Sequence, residues 1–268
     1  GAVCVESLSE IPKTDQPVIF SAHGVPKSVP ARAAELNMNY LDATCPLVSK
    51  VHKQAILHHR RGRHVLLVGH KGHPEVVGTM GQLPDGAVTL IETVADADAF
   101  VSPANEGLGF VTQTTLSVDD TADIIARLQH RFTDMVAPSA ESICYATTNR
   151  QEAVKAAAPG TDLFLVVGAP NSSNSMRLVD VATKAGATHS MLVKGAADIP
   201  WNLLEEAKGD LTIALSAGAS APEILVQDVV KRLKELGAGE VHEVDGRAEN
   251  IVFSMPKALR IPVKNVQT

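Results

Sequence analysis

Continuous apolar runs alternate with amphipathic stretches along most of the chain. Runs at 17–24, 39–45, 64–70, 108–114, 162–170, 188–193 and 211–220 have the length of strands. Many are apolar at nearly every position, the pattern of parallel strands covered on both faces. Between them, periodic stretches at 48–61, 118–132, 148–157, 175–185 and 222–236 predict helices. This alternation predicts an α/β fold with right-handed crossovers.

The strand ends collect small and polar residues: His23-Gly24, His70, Thr112-Gln113-Thr114, Gly168 and Ser216 to Ser220. In parallel sheets ligands bind beyond the carboxyl ends of the strands. Capping-box patterns predict helix starts at Ser117 with Asp120, Thr148 with Gln151, and Ser220 with Glu223, the last with Pro222 early in the helix. Free N–H groups at such termini bind anions.

Charge narrows the choice of partner. The 268-residue chain has a net charge of −6 and no Lys/Arg-rich run. That argues against nucleic acid, and an anionic ligand must be held by something other than a broad basic patch. No apolar run approaches the roughly 20 residues that span a bilayer, and no signal-peptide pattern occurs. The chain opens on "GAVCVES" without a Met, as expected of a processed or partial chain.

The three cysteines are Cys4, Cys45 and Cys144. Their odd number and wide spacing do not suit a disulfide framework, and the plainest role of each is a small buried hydrophobe. Cys45 in "YLDATCPLVSKVH" and Cys144 in "SICYATTNRQEAVKAA" nevertheless share a pattern, a short strand, Cys, then a helix, 99 residues apart. That is a weak internal repeat of about one small domain. A third copy would fall before Gly1. Cys4 lies in an apolar run, and packing is its expected role.

Other candidate chemistry is local. "GHKGHPEVVGTMGQ" places His70 and His73 near Glu75, as a metal site or a proton relay, with Pro74 opening a helix. Glu75 could equally be a plain partner of that helix's dipole. "NSSNSMR" follows an apolar run and could bind an anion, or simply cap a helix through Asn174. "SAGASAPE" offers Ser220 the same two roles. The usual dinucleotide and P-loop signatures are absent. His58, His59 and His130 are expected on solvated helix faces, and Trp201 in packing.

Taken together, "FSAHGV", "DATCPLVSKVH", "GHKGHPEVVGTMGQ", "TQTTLSVDDT", "ICYATTNRQEAV", "NSSNSMRL", "SAGASAPEILVQ" and "GRAENIVFSMP" resemble, in order and spacing, the 4-hydroxy-3-methylbut-2-enyl diphosphate reductase family of the non-mevalonate isoprenoid pathway. The resemblance implies three pseudo-repeated α/β modules around a central iron–sulfur cluster (4Fe-4S), the first module incomplete. The expected divisions are 1–45, 46–143, 144–240 and a C-terminal tail over 241–268. It implies Cys45 and Cys144 as cluster ligands. The third cysteine is expected upstream of Gly1, on a "GFCAGV"-like segment, and Cys4 does not match it.

By the same resemblance, Glu75 delivers protons with the help of Thr114. His23, His73, Ser172, Asn174 and Ser220 contact the substrate diphosphate, with Ser173 a nearby candidate. The implied reaction is a two-electron, two-proton reductive dehydration giving isopentenyl and dimethylallyl diphosphate, with the metal as Lewis acid and electron conduit. A flavodoxin- or ferredoxin-type electron donor and a cytoplasmic, bacterial-type location are expected, with no nucleic acid or membrane partner. Two other readings stay open on the residues alone. One is a cluster-free diphosphate-binding fragment, and the other a zinc hydrolase built on His70, His73 and Glu75.

Overall fold

The computed structural model describes residues 2–103, 107–138, 142–201, 204, 210–244, 246–255 and 259. Chain contacts form two compact units. The first comprises Gly1–Thr114, Asp123–Ser142 and Asn250–Thr268, the second Thr115–Ala122 and Ile143–Glu249. Among the described residues, no helix is long and apolar enough to cross a membrane.

The first unit begins with β1 (Val18–Phe20), α1 (Ser28–Glu35) and β2 (Tyr40–Asp42), and the two strands pair in parallel. It continues through α2 (Pro46–Arg60), β3 (Arg63–Val68), α3 (Pro74–Met80), β4 (Val88–Ile91), α4 (Val94–Ala99) and β5 (Gly107–Thr112). Here the sheet order is β4-β3-β5, all parallel. In central β3, Val65, Leu66, Leu67 and Val68 are all buried, which explains their unbroken apolar run. Val65 and Leu67 pack with Val51 and Ala55 of α2, Val76 of α3 and Val111 of β5. Each Val or Leu withdrawn from water here contributes roughly 1.5–3 kcal/mol.

The helix α5 (Val118–Arg131) starts where its capping pattern predicts, with Ser117 Oγ accepting from the Asp120 N–H at 3.2 Å. The second unit contains α6 (Tyr145–Ala157), β6 (Leu163–Val167), α7 (Ser173–Lys184), β7 (His189–Val193), β8 (Ile213–Ala217) and α8 (Glu223–Glu235). Its parallel sheet runs β7-β6-β8, so here too the first strand is central. Phe164 and Val166 of β6 join one apolar cluster with Val154, Leu178 and Val181. Leu165 and Val167 join another with Val193, Ile199 and Val229. A strand buried on both faces cannot alternate in polarity, so "LFLVV" is apolar throughout.

Several predicted starts are corrected. Helix α6 begins at Tyr145, because the N–H groups of Thr147 and Thr148 both donate to the Cys144 carbonyl. Thr148 is therefore helical and not a cap. Its supposed partner Gln151 is buried, accepting from Val118 N–H at 3.0 Å and donating to the Leu116 carbonyl at 2.8 Å. The cap of α8 is Pro222, and Ser220 lies exposed in the preceding turn. The cap of α7 is Ser172 rather than Asn174. Cys4 is exposed and outside any strand, not packed. Trp201 packs as expected, its indole N–H donating to the Ala196 carbonyl at 2.7 Å.

His58 also departs from expectation. It is 6% exposed, and a Cβ on Gly109 would overlap its ring. Burial, then the nearby Arg63 and Arg61, hold its pKa below the usual histidine value. Only a residue without a side chain lets β5 approach this ring. Gly109→Ala is expected to destabilise the protein by about 1–3 kcal/mol, read as a lower thermal midpoint. An unchanged midpoint would remove His58 from the core.

Candidate active site

In the first unit the site begins where β1 ends. The Gly24 N–H donates to Ser21 O at 3.1 Å, closing a turn that exposes His23. Gly24 has φ +77°, and a Cβ there would lie 2.7 Å from His52 Cε1 of α2, so the turn requires glycine on two counts. Helix α3 packs against the same turn, where a Cβ on Gly78 would meet the Gly24 carbonyl at 3.0 Å. The Gln82 amide donates to Val25 O at 2.8 Å and to Gly78 O at 3.0 Å, fastening the contact.

That packing brings His23 to His73. Their ring centroids are 5.5 Å apart at an interplanar angle of 89°. His73 caps α3, its Nδ1 accepting from the Glu75 N–H at 3.2 Å. Burial, reinforced by His23 and His70, pushes the His73 pKa down to about 4. At neutral pH His73 is thus uncharged and, with Nδ1 occupied as an acceptor, presents Nε2–H as a donor.

Glu75 is 1% exposed. Its Oε1 accepts from Thr114 N–H at 2.7 Å and its Oε2 from Thr114 Oγ–H at 2.9 Å. Burial raises its pKa to about 7, against the lowering effect of both Thr114 bonds. It is buried, and it stands in the first turn of α3, where a carboxyl also faces the positive end of the helix dipole. Gln113 ties the neighbouring strand ends together, donating its N–H to Val68 O at 2.8 Å and accepting from His70 N–H at 3.1 Å. Among the described residues no three His, Cys, Asp or Glu side chains group as a metal ion requires. The zinc reading on His70, His73 and Glu75 finds no support in this grouping.

In the second unit, Ser172 caps α7, Ser173 opens it, and Thr115 Oγ donates to Ser173 Oγ at 3.5 Å. Asn174 is 6% exposed, yet neither polar atom of its amide has a hydrogen-bond partner. A buried amide without partners costs free energy unless a ligand or water satisfies it. Ser220 follows β8, the sheet neighbour of β6 from which Ser172 comes, so both serines lie beyond adjacent strand ends. Arg177, one turn further along α7, pairs with Asp120 and Asp180. The sequence pattern did not show this pairing, and the hydroxyls of Ser172 and Ser173 and the Asn174 amide are the groups gathered at this end of α7.

The two motif cysteines repeat one local geometry. Cys45 caps α2 with φ −54° and ψ 133°, and Cys144 caps α6 with φ −64° and ψ 135°. Both are free, half-buried, and make no side-chain cap hydrogen bond. Soft sulfur donors at helix N-termini fit an iron–sulfur cluster. The segment ending at Glu249 is held on α6, with Glu249 accepting from Asn149 Nδ2 at 3.2 Å and Arg247 pairing with Glu152 at 3.2 Å.

A family model described as LytB protein matches residues 1–234. The 4-hydroxy-3-methylbut-2-enyl diphosphate reductase of Rhizobium meliloti is 62% identical over 263 residues, covering 97% of this chain and 74% of the relative. The reductase of the same name from Brucella anthropi is 68% identical over 237 residues, 87% of this chain and 67% of its own length. The solved E-1-hydroxy-2-methyl-but-2-enyl-4-diphosphate reductase of Plasmodium falciparum matches with a TM-score of 0.81 at 36% identity, over 87% of this chain and 72% of that one. A family match over most of the length, joined to relatives this similar, makes the chain a member of the LytB protein family.

Proposed function

We propose that the protein reduces 4-hydroxy-3-methylbut-2-enyl diphosphate to isopentenyl and dimethylallyl diphosphate. Two electrons and two protons enter, the allylic C–O bond breaks, and the oxygen leaves as water. The observation that carries this reading is Glu75, a buried carboxyl with a pKa of about 7, doubly bonded to Thr114. A general acid works best when its pKa lies near the working pH.

Cys45 and Cys144 are the residues here that would hold a 4Fe-4S cluster, with a third cysteine expected upstream of Gly1. When bound, the cluster supplies electrons and Lewis acidity. Every other role falls to side chains described above. Glu75 gives its proton to the departing hydroxyl oxygen, and Thr114 holds the resulting carboxylate through two hydrogen bonds. His23 and neutral His73 contact the diphosphate in the first unit. Ser172, Ser173, Asn174 and Ser220 are the corresponding contacts of the second unit, where the unpartnered Asn174 amide supports a polar ligand. The electron donor is of the flavodoxin or ferredoxin type.

The test is anaerobic reconstitution of the chain extended upstream through the expected third cysteine. Iron and acid-labile sulfide are measured per chain, and substrate turnover is then followed with a chemical reductant. Bound iron and sulfide with release of both five-carbon diphosphates is the expected result. Diphosphate binding without iron or turnover would reject the reductase and leave a binding protein.

A further inference from the structure

Ser175 lies one turn into the phosphate-facing end of α7 and has been given no role so far. It is 1% exposed. It addresses Ser172 twice: its N–H donates to Ser172 Oγ at 3.3 Å, and its hydroxyl donates to the same oxygen at 2.9 Å. The Ser175 hydroxyl is confined by bare backbone. A Cβ on Gly168, just after β6, or on Gly218, just after β8, would overlap Ser175 Oγ. These two glycines clear the space that the hydroxyl occupies while it donates to Ser172.

A serine hydroxyl has one proton to donate and two lone pairs that accept. At Ser172 both lone pairs are occupied, one by the Ser175 N–H and one by the Ser175 O–H. What remains is a single outward O–H. We infer that Ser175 is a positioning residue that turns Ser172 into a donor-only group, so that this point of the site accepts anionic oxygen and refuses N–H and ammonium groups. Without Ser175 Oγ, Ser172 regains a free lone pair, and its O–H is free to rotate away from the ligand. Specificity here comes from denying a hydroxyl its second role, which leaves a mismatched ligand with an unpaired polar group. The inference rests on the reading of Ser172 as a diphosphate contact.

The experiment compares Ser172→Ala, Ser175→Ala and the double variant in the reconstituted protein. Affinity for inorganic diphosphate is measured by calorimetry, with KM and kcat alongside. Alanine is smaller and the better helix former, so Ser175→Ala retains the fold. Ser175→Ala is expected to weaken diphosphate binding about 3- to 10-fold, raising KM with kcat unchanged. Ser172→Ala should weaken it at least as much, and the double variant should match Ser172→Ala alone, because Ser175 acts only through Ser172. If Ser172→Ala weakens binding while Ser175→Ala binds like the parent, the inference fails and the site reading stands. An undiminished Ser175→Ala effect in the Ser172→Ala background also overturns it, since the residue then acts through general structure. If Ser172→Ala has no effect, the reading of the site fails and the inference with it.

Discussion

Glu75→Gln is expected to keep the fold and substrate affinity while lowering turnover by about 10²- to 10⁴-fold, the usual contribution of a positioned general acid. Glutamine retains the shape of the side chain and can still pair with both Thr114 groups, but it carries no transferable proton. Turnover within about twofold of the parent, in a variant with normal iron content, would reject the role. The pH profile gives a second test. A proton donor with a pKa of about 7 works below that pH and fails above it. Activity of the parent should fall as pH rises through about 7, and the residual activity of Glu75→Gln should lack that limb.

Stability gives a third. The folded-state pKa of Glu75 is raised from 4.5 to about 7. Between those values the folded protein binds the extra proton, so this group costs stability as pH rises, by about 3 kcal/mol once pH exceeds 7. Glu75→Gln should therefore melt higher than the parent at pH 8 and near the parent at pH 4.5, a trade of stability for function. His73 has the opposite sign. Its pKa is lowered to about 4, so its contribution to stability is lost as pH falls below its ordinary value of 6.5.

The second large effect is expected at Cys144. In Cys144→Ser, iron and acid-labile sulfide should fall to a small fraction of the parent, and turnover should vanish with them, because serine oxygen is a poor substitute for a soft thiolate on iron. Compared with the cluster-free parent, the same change should strengthen the fold. Cys144 caps α6 without a side-chain hydrogen bond, whereas serine is among the best caps, contributing about 0.5–2 kcal/mol. A variant that is more stable than the cluster-free parent yet takes up no iron would separate ligation from packing. Normal iron and sulfide content would end the ligand assignment.

Why the site was partly legible is clear from particular residues. Thr114 and Glu75 are 39 positions apart, and no periodicity links them; the motif order did, and the structure shows the two hydrogen bonds. Helices α1 and α4 went unpredicted because they have only 8 and 6 residues, too short for a helical periodicity to repeat. Strand β4 is an edge strand, half-buried over most of its length, and has no continuous apolar run. His58 was misplaced because a histidine in "LHHRR" looks solvated until Gly109, 51 residues later, is seen to open a slot for it.

The sequence by itself determined the α/β class, because two-sided burial of β3 and β6 demands apolar residues at every position. It also determined where candidate chemistry lies, because strand ends and helix starts have local signatures, and Cys45 and Cys144 stand directly before helices. Only the tertiary structure decided protonation and hydrogen-bond polarity. The pKa values of Glu75 and His73 follow from burial and from neighbours distant in sequence. The room for the Ser175 hydroxyl that addresses Ser172 is left by Gly168 and Gly218, which follow different strands and meet Ser175 only once the sheet is assembled. Desolvation and close packing are properties of the assembled chain, and no local pattern encodes them.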